Sequence, residues 1–282
     1  MTSDPPPASA SPFGSGDHED RLLPDGTRLG DALSLGRRQA WAPWFIGLGV
    51  IVVGLVWAGM TLPTLPDQMP TGFGPSGEVR GWEDTSFGTA ATSLIIGAGA
   101  TLLLGLIAAM VPMFDSTDPA KRSLWGHFQA EGSHRAVQSV LGWATLVLNL
   151  MFVYLTNQSW SYARQAADGS TAAPSMWPIL LFILGIFVAR VPPFRRWARW
   201  SRRTAVEHGI HPTPQEEAEE KRWLPGGILN DPTEPKLFVP KREGYGVGLT
   251  LNVGHPKGKA VVVVFLLVIL LPLALMLLVT EA

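Results

Sequence analysis

Cysteine is missing from this 282-residue chain, so there is no disulfide, no thiolate nucleophile and no Cys-ligated zinc or iron–sulfur centre. Charge is missing from five long stretches: 41–62, 88–114, 139–157, 172–189 and 260–280 hold no Asp, Glu, Lys or Arg. Each comes close to or exceeds the roughly 20 residues that a helix needs to cross a bilayer, which predicts an integral membrane protein. The same absence disfavours ion-coupled transport, where an ionisable group or broken helix sits at mid-membrane; span three offers only the neutral Asn149. No GxSxG, HExxH or P-loop pattern occurs, so nothing points to catalysis, and no cofactor and no nucleic-acid partner are expected.

The charge that is present is segregated. A net charge of −1 conceals that twenty of the twenty-two Lys and Arg residues fall in the N-terminal arm and the second and fourth loops, leaving Arg80 and Arg164 in the first and third. Short cytoplasmic loops retain Lys and Arg, so the N terminus is placed inside and the C terminus outside. Trp41, Trp44, Trp160, Trp177, Trp197 and Trp200 lie near span ends and read as interfacial anchors. The expected fold is an all-α five-helix transmembrane bundle with a small cytoplasmic β-hairpin element, in a bacterial cytoplasmic (plasma) membrane. A Gly-, Ala- and Arg-rich composition with few Lys points to a high-GC bacterium.

Six regions follow. Residues 1–40 read as a disordered cytoplasmic tail with a short juxtamembrane segment, rich at its start in Pro, Ser, Asp and Gly. Residues 41–114 hold two spans flanking an exported loop, and 115–193 hold a cytoplasmic loop and spans three and four. Gly54 with Ala58 and Gly105 with Ala109 are small residues at four-residue spacing, suited to close helix approach. Within the second loop His127, Glu131 and His134 fall on one helical face, a spacing open to metal binding, although Gly126 and Gly132 weaken the helix and a solvated surface face is the favoured reading.

The run PFRRWARWSRR over 193–203 leads into the region 194–225, with Phe194, Trp197 and Trp200 at three-residue steps and Arg195, Arg196, Arg199, Arg202 and Arg203 on the remaining face. This predicts an interfacial helix whose aromatic ridge lies in the acyl boundary while the guanidinium groups meet anionic headgroups. Thr213-Pro214-Gln215-Glu216 then supplies a capping box for a short acidic helix to about Trp223. In 226–259 an extended run ends at Pro240, and period-two alternation sets Val247, Leu249, Leu251 and Val253 against Gly246, Gly248, Thr250 and Asn252, which predicts a second strand. The fifth span, 260–282, contains Pro272, expected to kink the helix without breaking it.

The exported loop reads LPTLPDQMPTGFGPSGEVRGWED over 62–84. Its four prolines exclude a helix and stiffen it towards an extended, preorganised surface for a ligand or partner. The LPxLPxxxPT run, the following aromatic residue, a GxxG-like turn and a Trp resemble domain of unknown function 1648, found in bacterial membrane proteins similar to the Sdp-type immunity proteins. That resemblance implies Pro66, Pro70, Phe73, Gly77 and Trp82 as the ligand-facing set and an extracytoplasmic peptide as partner. Where the family usually carries a histidine before the aromatic residue, this chain has Gly72.

GGILNDPTEPKLFVPKREGYGVGLTLNVGHP, over 226–256, resembles domain of unknown function 5808, with Leu249 where that family carries an aromatic residue. The motif residues Asn230, Pro232, Pro240, Lys241, Arg242 and Asn252 are implied as a unit. Read physically, Asn230, Lys241, Arg242 and Asn252 could form a polar site beneath the membrane for phosphate, a lipid headgroup or a cytoplasmic protein partner, while local turn and strand satisfaction by the two asparagines is the favoured reading. A non-enzymatic immunity or receptor protein is the leading expectation. A small transporter or membrane-complex accessory subunit is the alternative, and a membrane-bound enzyme is kept as a third.

Overall fold

The computed structural model describes residues 20–73, 79–115, 118–170, 177–242 and 248–280. It is mostly helical with small antiparallel strand pairs, and among the described residues four helical stretches are long and apolar enough to cross a membrane, within Leu29–Thr64, Thr92–Phe114, Leu124–Ala167 and Pro178–Glu207. The tail expected over 1–19 lies outside the described residues, but 20–40 departs from that expectation. Leu22 bridges to Arg28, helix α1 runs Leu29–Ser34, and Leu23, Leu29 and Ala32 are buried against Trp125, Phe128, Ala205 and Ile210. Leu23, Leu29 and Ala32 share that buried face with Leu33 packed beside them, while Leu22 and Leu35 stay exposed.

A 3-10 turn then leads into α2 (Ala42–Thr61), the first apolar run. Strands β1 (Gln68–Phe73) and β2 (Val79–Asp84) form an antiparallel hairpin, followed by the short α3 (Phe87–Ala90) and by α4 (Thr92–Met110). Helix α5 runs Leu124–Ala167 without interruption, 44 residues or roughly 66 Å at 1.5 Å per residue, against about 30 Å of bilayer hydrocarbon. The second loop is therefore much shorter than expected. Gly126 and Gly132 lie inside this helix, because tertiary contact with α7 outweighs their weak propensity.

Helix α6 (Trp177–Ala189) is followed directly at Arg190 by α7 (Val191–Glu207) and then by the acidic α8 (Pro214–Lys221). The α8 start carries the expected capping box, Thr213 Oγ1 accepting from Glu216 N and Glu216 Oε2 accepting from Thr213 N. Strands β3 (Trp223–Leu224) and β4 (Ile228–Leu229) pair, as do β5 (Phe238–Pro240) and β6 (Leu249–Leu251). The second pair is the expected hairpin element; the first was not expected. Val247 and Gly246 of the alternating run lie outside the described residues. Helix α9 (Pro256–Thr280) stays helical through Pro272.

The long helix α5 is the hub, touching α2, α4, α6 and α7. Small residues set those approaches. A Cβ on Gly142 would lie 2.8 Å from the Trp44 backbone nitrogen of α2, and one on Gly132 would lie 3.0 Å from the Trp197 carbonyl oxygen of α7. Gly54 and Ala58 are buried inside the chain as expected for close packing, whereas on α4 the buried set is Leu94, Gly97, Thr101, Gly105 and Ala108, with Ala109 exposed. The 3.6-residue period carries the α4 contact to position 108 rather than 109. Outward faces are aliphatic: Val53, Val56, Leu102, Leu103 and Leu106 are all more than half exposed, as a lipid-facing surface requires.

Asn149 is fully buried, its Nδ2 donating to Gly47 O at 2.9 Å and to Thr101 Oγ1 at 2.9 Å, while the Thr101 hydroxyl donates to Gly97 O at 2.8 Å. One side chain thus ties α5 to α2 and α4, and interhelical bonds of this kind within a membrane average about 0.6 kcal/mol.

Two expectations about tryptophan are corrected. Trp197 is 2% exposed, its Nε1 donating to Ser139 Oγ at 2.8 Å, and Trp200 stacks under Arg135, so the aromatic ridge of α7 faces α5 and not an acyl boundary. Trp160, 1% exposed, donates its Nε1 to Ala90 O at 2.9 Å and so joins α5 to α3. In each case a partner inside the chain satisfies the indole N–H that an interface would otherwise satisfy.

Candidate functional site

Two clusters of side chains stand at opposite ends of α5. At the end bearing its C terminus sits the β1–β2 hairpin. Thr85 closes its neck, the hydroxyl donating to Pro66 O and the backbone N–H to Asp67 O at 2.8 Å. Pro70 is buried and lies opposite Trp82 in the ladder, and the register shifts between Pro70 and Gly72, where proline has no N–H to give. Phe73 ends β1 opposite Val79, and Gly77 lies outside the described residues. Trp82 is 42% exposed, with its ring centroid 6.1 Å from that of Tyr162 on α5. The structure therefore gathers Pro66, Pro70 and Trp82 onto one hairpin.

The residue that anchors the hairpin was not singled out from sequence. Met69 is fully buried in a cluster with Ala91, Leu94, Trp160 and Ala163, and Arg164 adds a bond from Nη2 to Thr64 Oγ1 at 3.2 Å. A lone large apolar side chain between Gln68 and Pro70 was the available signal. Strand β2 turns most of its residues to solvent, Arg80, Trp82, Glu83 and Asp84 among them. An isolated hairpin is at best marginally stable, so its seat on α5 is what fixes this surface.

The other end, called here the basic end, holds the N-terminal turns of α5, α1, α7, α8 and the small strands. Arg135 has no exposed side-chain surface. Its Nε donates to Glu131 Oε1 at 2.8 Å, Nη1 donates to Leu35 O at 2.8 Å, Nη2 donates to Leu33 O, and its guanidinium lies 3.8 Å from the Trp200 ring centroid. Glu131 also accepts from Arg37 Nε at 2.9 Å, and His134 Nε2 lies 3.3 Å from Asp115 Oδ2. Glu131 and His134 are thus directed to different partners, and no group of three His, Asp or Glu able to hold a metal occurs among the described residues.

The motif residues of 226–256 separate. Asn252 is fully buried; its Oδ1 accepts from Asp231 N at 3.1 Å and Gly254 N at 3.0 Å, and its Nδ2 donates to Asp231 O at 2.8 Å and Glu234 O at 3.2 Å. It latches the turn that contains Pro232, which is exposed, as is Asn230. Leu249 is 63% exposed, so the aliphatic side of the alternating run is not the buried side. Four satisfied backbone groups make the asparagine the better interior residue. Pro240 pairs with Leu249, Lys241 is exposed, and Arg242 turns towards α8, Nη2 lying 3.9 Å from Glu220 Oε1. Asn230, Lys241, Arg242 and Asn252 therefore do not form one site.

What sequence passed over is Asp231. Its carboxylate is pulled down to about 2 by the Thr233 hydroxyl and backbone N–H, which donate at 2.6 and 2.8 Å, and further by Arg222 Nε at 2.7 Å. The same pairing, together with Glu219, raises the Arg222 guanidinium above its usual value. Arg242, Glu220, Arg202 and Ser201 border a cavity of about 300 Å³ between α5, α7 and α8, where Arg202 Nη2 donates to Glu220 Oε2 at 2.8 Å. Burial pushes the Glu216 carboxyl up, but bonds from Ser123 and Thr213 outweigh it and hold the group below its usual value, joining the starts of α5 and α8.

No family model, curated protein or solved structure matches the chain. The resemblances to the two domains of unknown function rest on the quoted residues alone.

Proposed function

We propose that this chain is a five-span bacterial cytoplasmic-membrane protein, N terminus inside and C terminus outside, that acts without catalysis as a receptor or immunity protein for an extracytoplasmic peptide. The observation that carries the reading is the β1–β2 hairpin clamped by Met69 onto the same uninterrupted helix whose other end holds Arg135. A two-stranded sheet offers an open edge, and an extended peptide adds to such an edge through main-chain hydrogen bonds. Strand β2 supplies that edge here, with Trp82 as an aromatic contact. A 44-residue helix gives a rigid connection from this surface to the arm and α7 at the cytoplasmic face.

A deletion strain grown in the parent strain's spent medium tests the reading. Killing rescued by wild type, and not by Pro66→Ala with Pro70→Ala, is the expected result. Survival of the deletion strain, or full rescue by a scrambled 62–84 loop, overturns it, and substrate flux into liposomes containing the purified protein would then favour the transporter reading.

A further inference from the structure

At the basic end, α2, α5 and α7 leave a groove of about 570 Å³ whose two walls differ in chemistry. One wall is apolar, with Ile46 of α2 54% exposed and Trp143 of α5 38% exposed. The other carries Arg195, Arg196 and Arg199 of α7, all exposed. Several nearby cations meet carboxylates: Arg37 and Arg135 meet Glu131, Arg202 meets Glu220, and Arg222 meets Glu219 and Asp231. The three groove arginines do not, and they combine that with a place on one wall of the groove. Arg196 Nη2 donates to Gln39 Oε1 at 2.6 Å and Arg199 Nε donates to Arg195 O at 3.2 Å, but among the described residues none of the three meets a carboxylate.

The groove lies where the apolar run of α2 begins and where the apolar α6 gives way to the arginines of α7. In a bilayer crossed by these apolar runs, the apolar wall would face hydrocarbon and the cationic wall the headgroups. We infer that the groove is a seat for one anionic glycerophospholipid, its phosphate held between Arg195 and Arg199 and an acyl chain lying along Ile46 and Trp143. A phosphate offers acceptor oxygens to the guanidinium forks, and desolvation beside the bilayer strengthens those charge-assisted bonds. With the aromatic ridge of α7 turned inward, the arginines and this groove are what the helix presents to lipid. The inference is independent of peptide reception, and either can fail without the other.

The test uses the purified full chain in a neutral detergent, titrated with phosphatidylglycerol or with phosphatidylcholine of the same acyl chains, bound lipid being counted by native mass spectrometry. One phosphatidylglycerol is expected to be retained in preference to phosphatidylcholine. Arg195→Gln with Arg199→Gln should weaken that retention about twenty-fivefold, each cation contributing roughly fivefold. Arg38→Gln with Arg203→Gln, which removes the same charge from exposed positions outside the groove, should change it less than threefold. Ile46→Trp fills the apolar wall at an exposed position without altering charge and should also displace the lipid. Equal retention of the two lipids, equal loss in both double variants, indifference to Ile46→Trp, or competition by sn-glycerol 3-phosphate at the lipid's own concentration would each overturn the seat.

Discussion

The guanidinium of Arg135 lies over the Trp200 ring, 3.8 Å from its centroid, while its N–H groups donate to the carbonyls of Leu33 and Leu35 at the end of α1. One side chain thereby joins the N-terminal arm, α5 and α7. Its charge is answered by Glu131 one helical turn earlier, and that carboxylate also receives Arg37 from the arm.

Arg135→Met should cost about 3–5 kcal/mol, because it strips the partly buried Glu131 carboxylate of its nearer partner and leaves two carbonyls unbonded. Arg135→Lys keeps the charge and loses the fork and the stack, for about 1–2 kcal/mol. Unfolding in mixed detergent micelles gives the magnitudes. Hydrogen exchange should accelerate first in Leu29–Ser34, the element the arginine caps.

Asn252 holds the turn at Asp231 by four bonds, and two of them need an amide N–H₂. Asn252→Asp keeps the shape and loses the donors, so it should expose 230–255 to protease at least as severely as Asn252→Ala. Acid should do the same by another route. The folded carboxyl of Asp231 titrates near 2 against an unfolded value of 3.8, so its contribution is complete above the unfolded value and lost as pH falls from about 4 through 2. Protease sensitivity of this element should rise over that window in the wild type, and Asp231→Asn should remove much of the pH dependence.

What the sequence made legible was either long or strictly local. Apolar runs announce helices by length alone, and the Thr213–Glu216 capping box needs only four residues. The misses are tertiary. Arg135 counted as one more basic loop residue because nothing in its neighbours shows that α1 and Trp200 close over it. Asn230 stood out as a motif residue while Asp231 beside it does the bonding. Strand β2 carries no alternation of apolar and polar residues, its partner being fixed by Thr85 at the hairpin neck and by the buried Met69.

Glycine substitutions separate local propensity from packing. Gly132→Ala improves intrinsic helix propensity by up to about 1 kcal/mol, yet its methyl would meet Ser201 Cβ at 2.8 Å and the Trp197 carbonyl at 3.0 Å. Forcing α5 and α7 apart should make it destabilising by about 1–3 kcal/mol. Gly99 on α4 has nothing within 4 Å of an added Cβ, so Gly99→Ala should be neutral or mildly stabilising. A clear loss at Gly132 with no loss at Gly99, in paired micelle unfolding experiments, is the expected outcome.

Met69 separates anchoring of the hairpin from recognition by it. Met69→Ala empties part of the cluster around Trp160 and should cost about 2–5 kcal/mol, against a hairpin with little stability of its own. Hydrogen exchange should therefore rise in Gln68–Phe73 and Val79–Asp84 while the bundle helices keep their protection. Trp82→Ala removes a 42%-exposed ring and should leave that exchange pattern close to wild type. If the hairpin reads a peptide, both variants lose protection in the spent-medium assay, the first by releasing the surface and the second by altering it. Retained protection in Met69→Ala, with the hairpin shown by exchange to be undocked, would move recognition away from this end of α5.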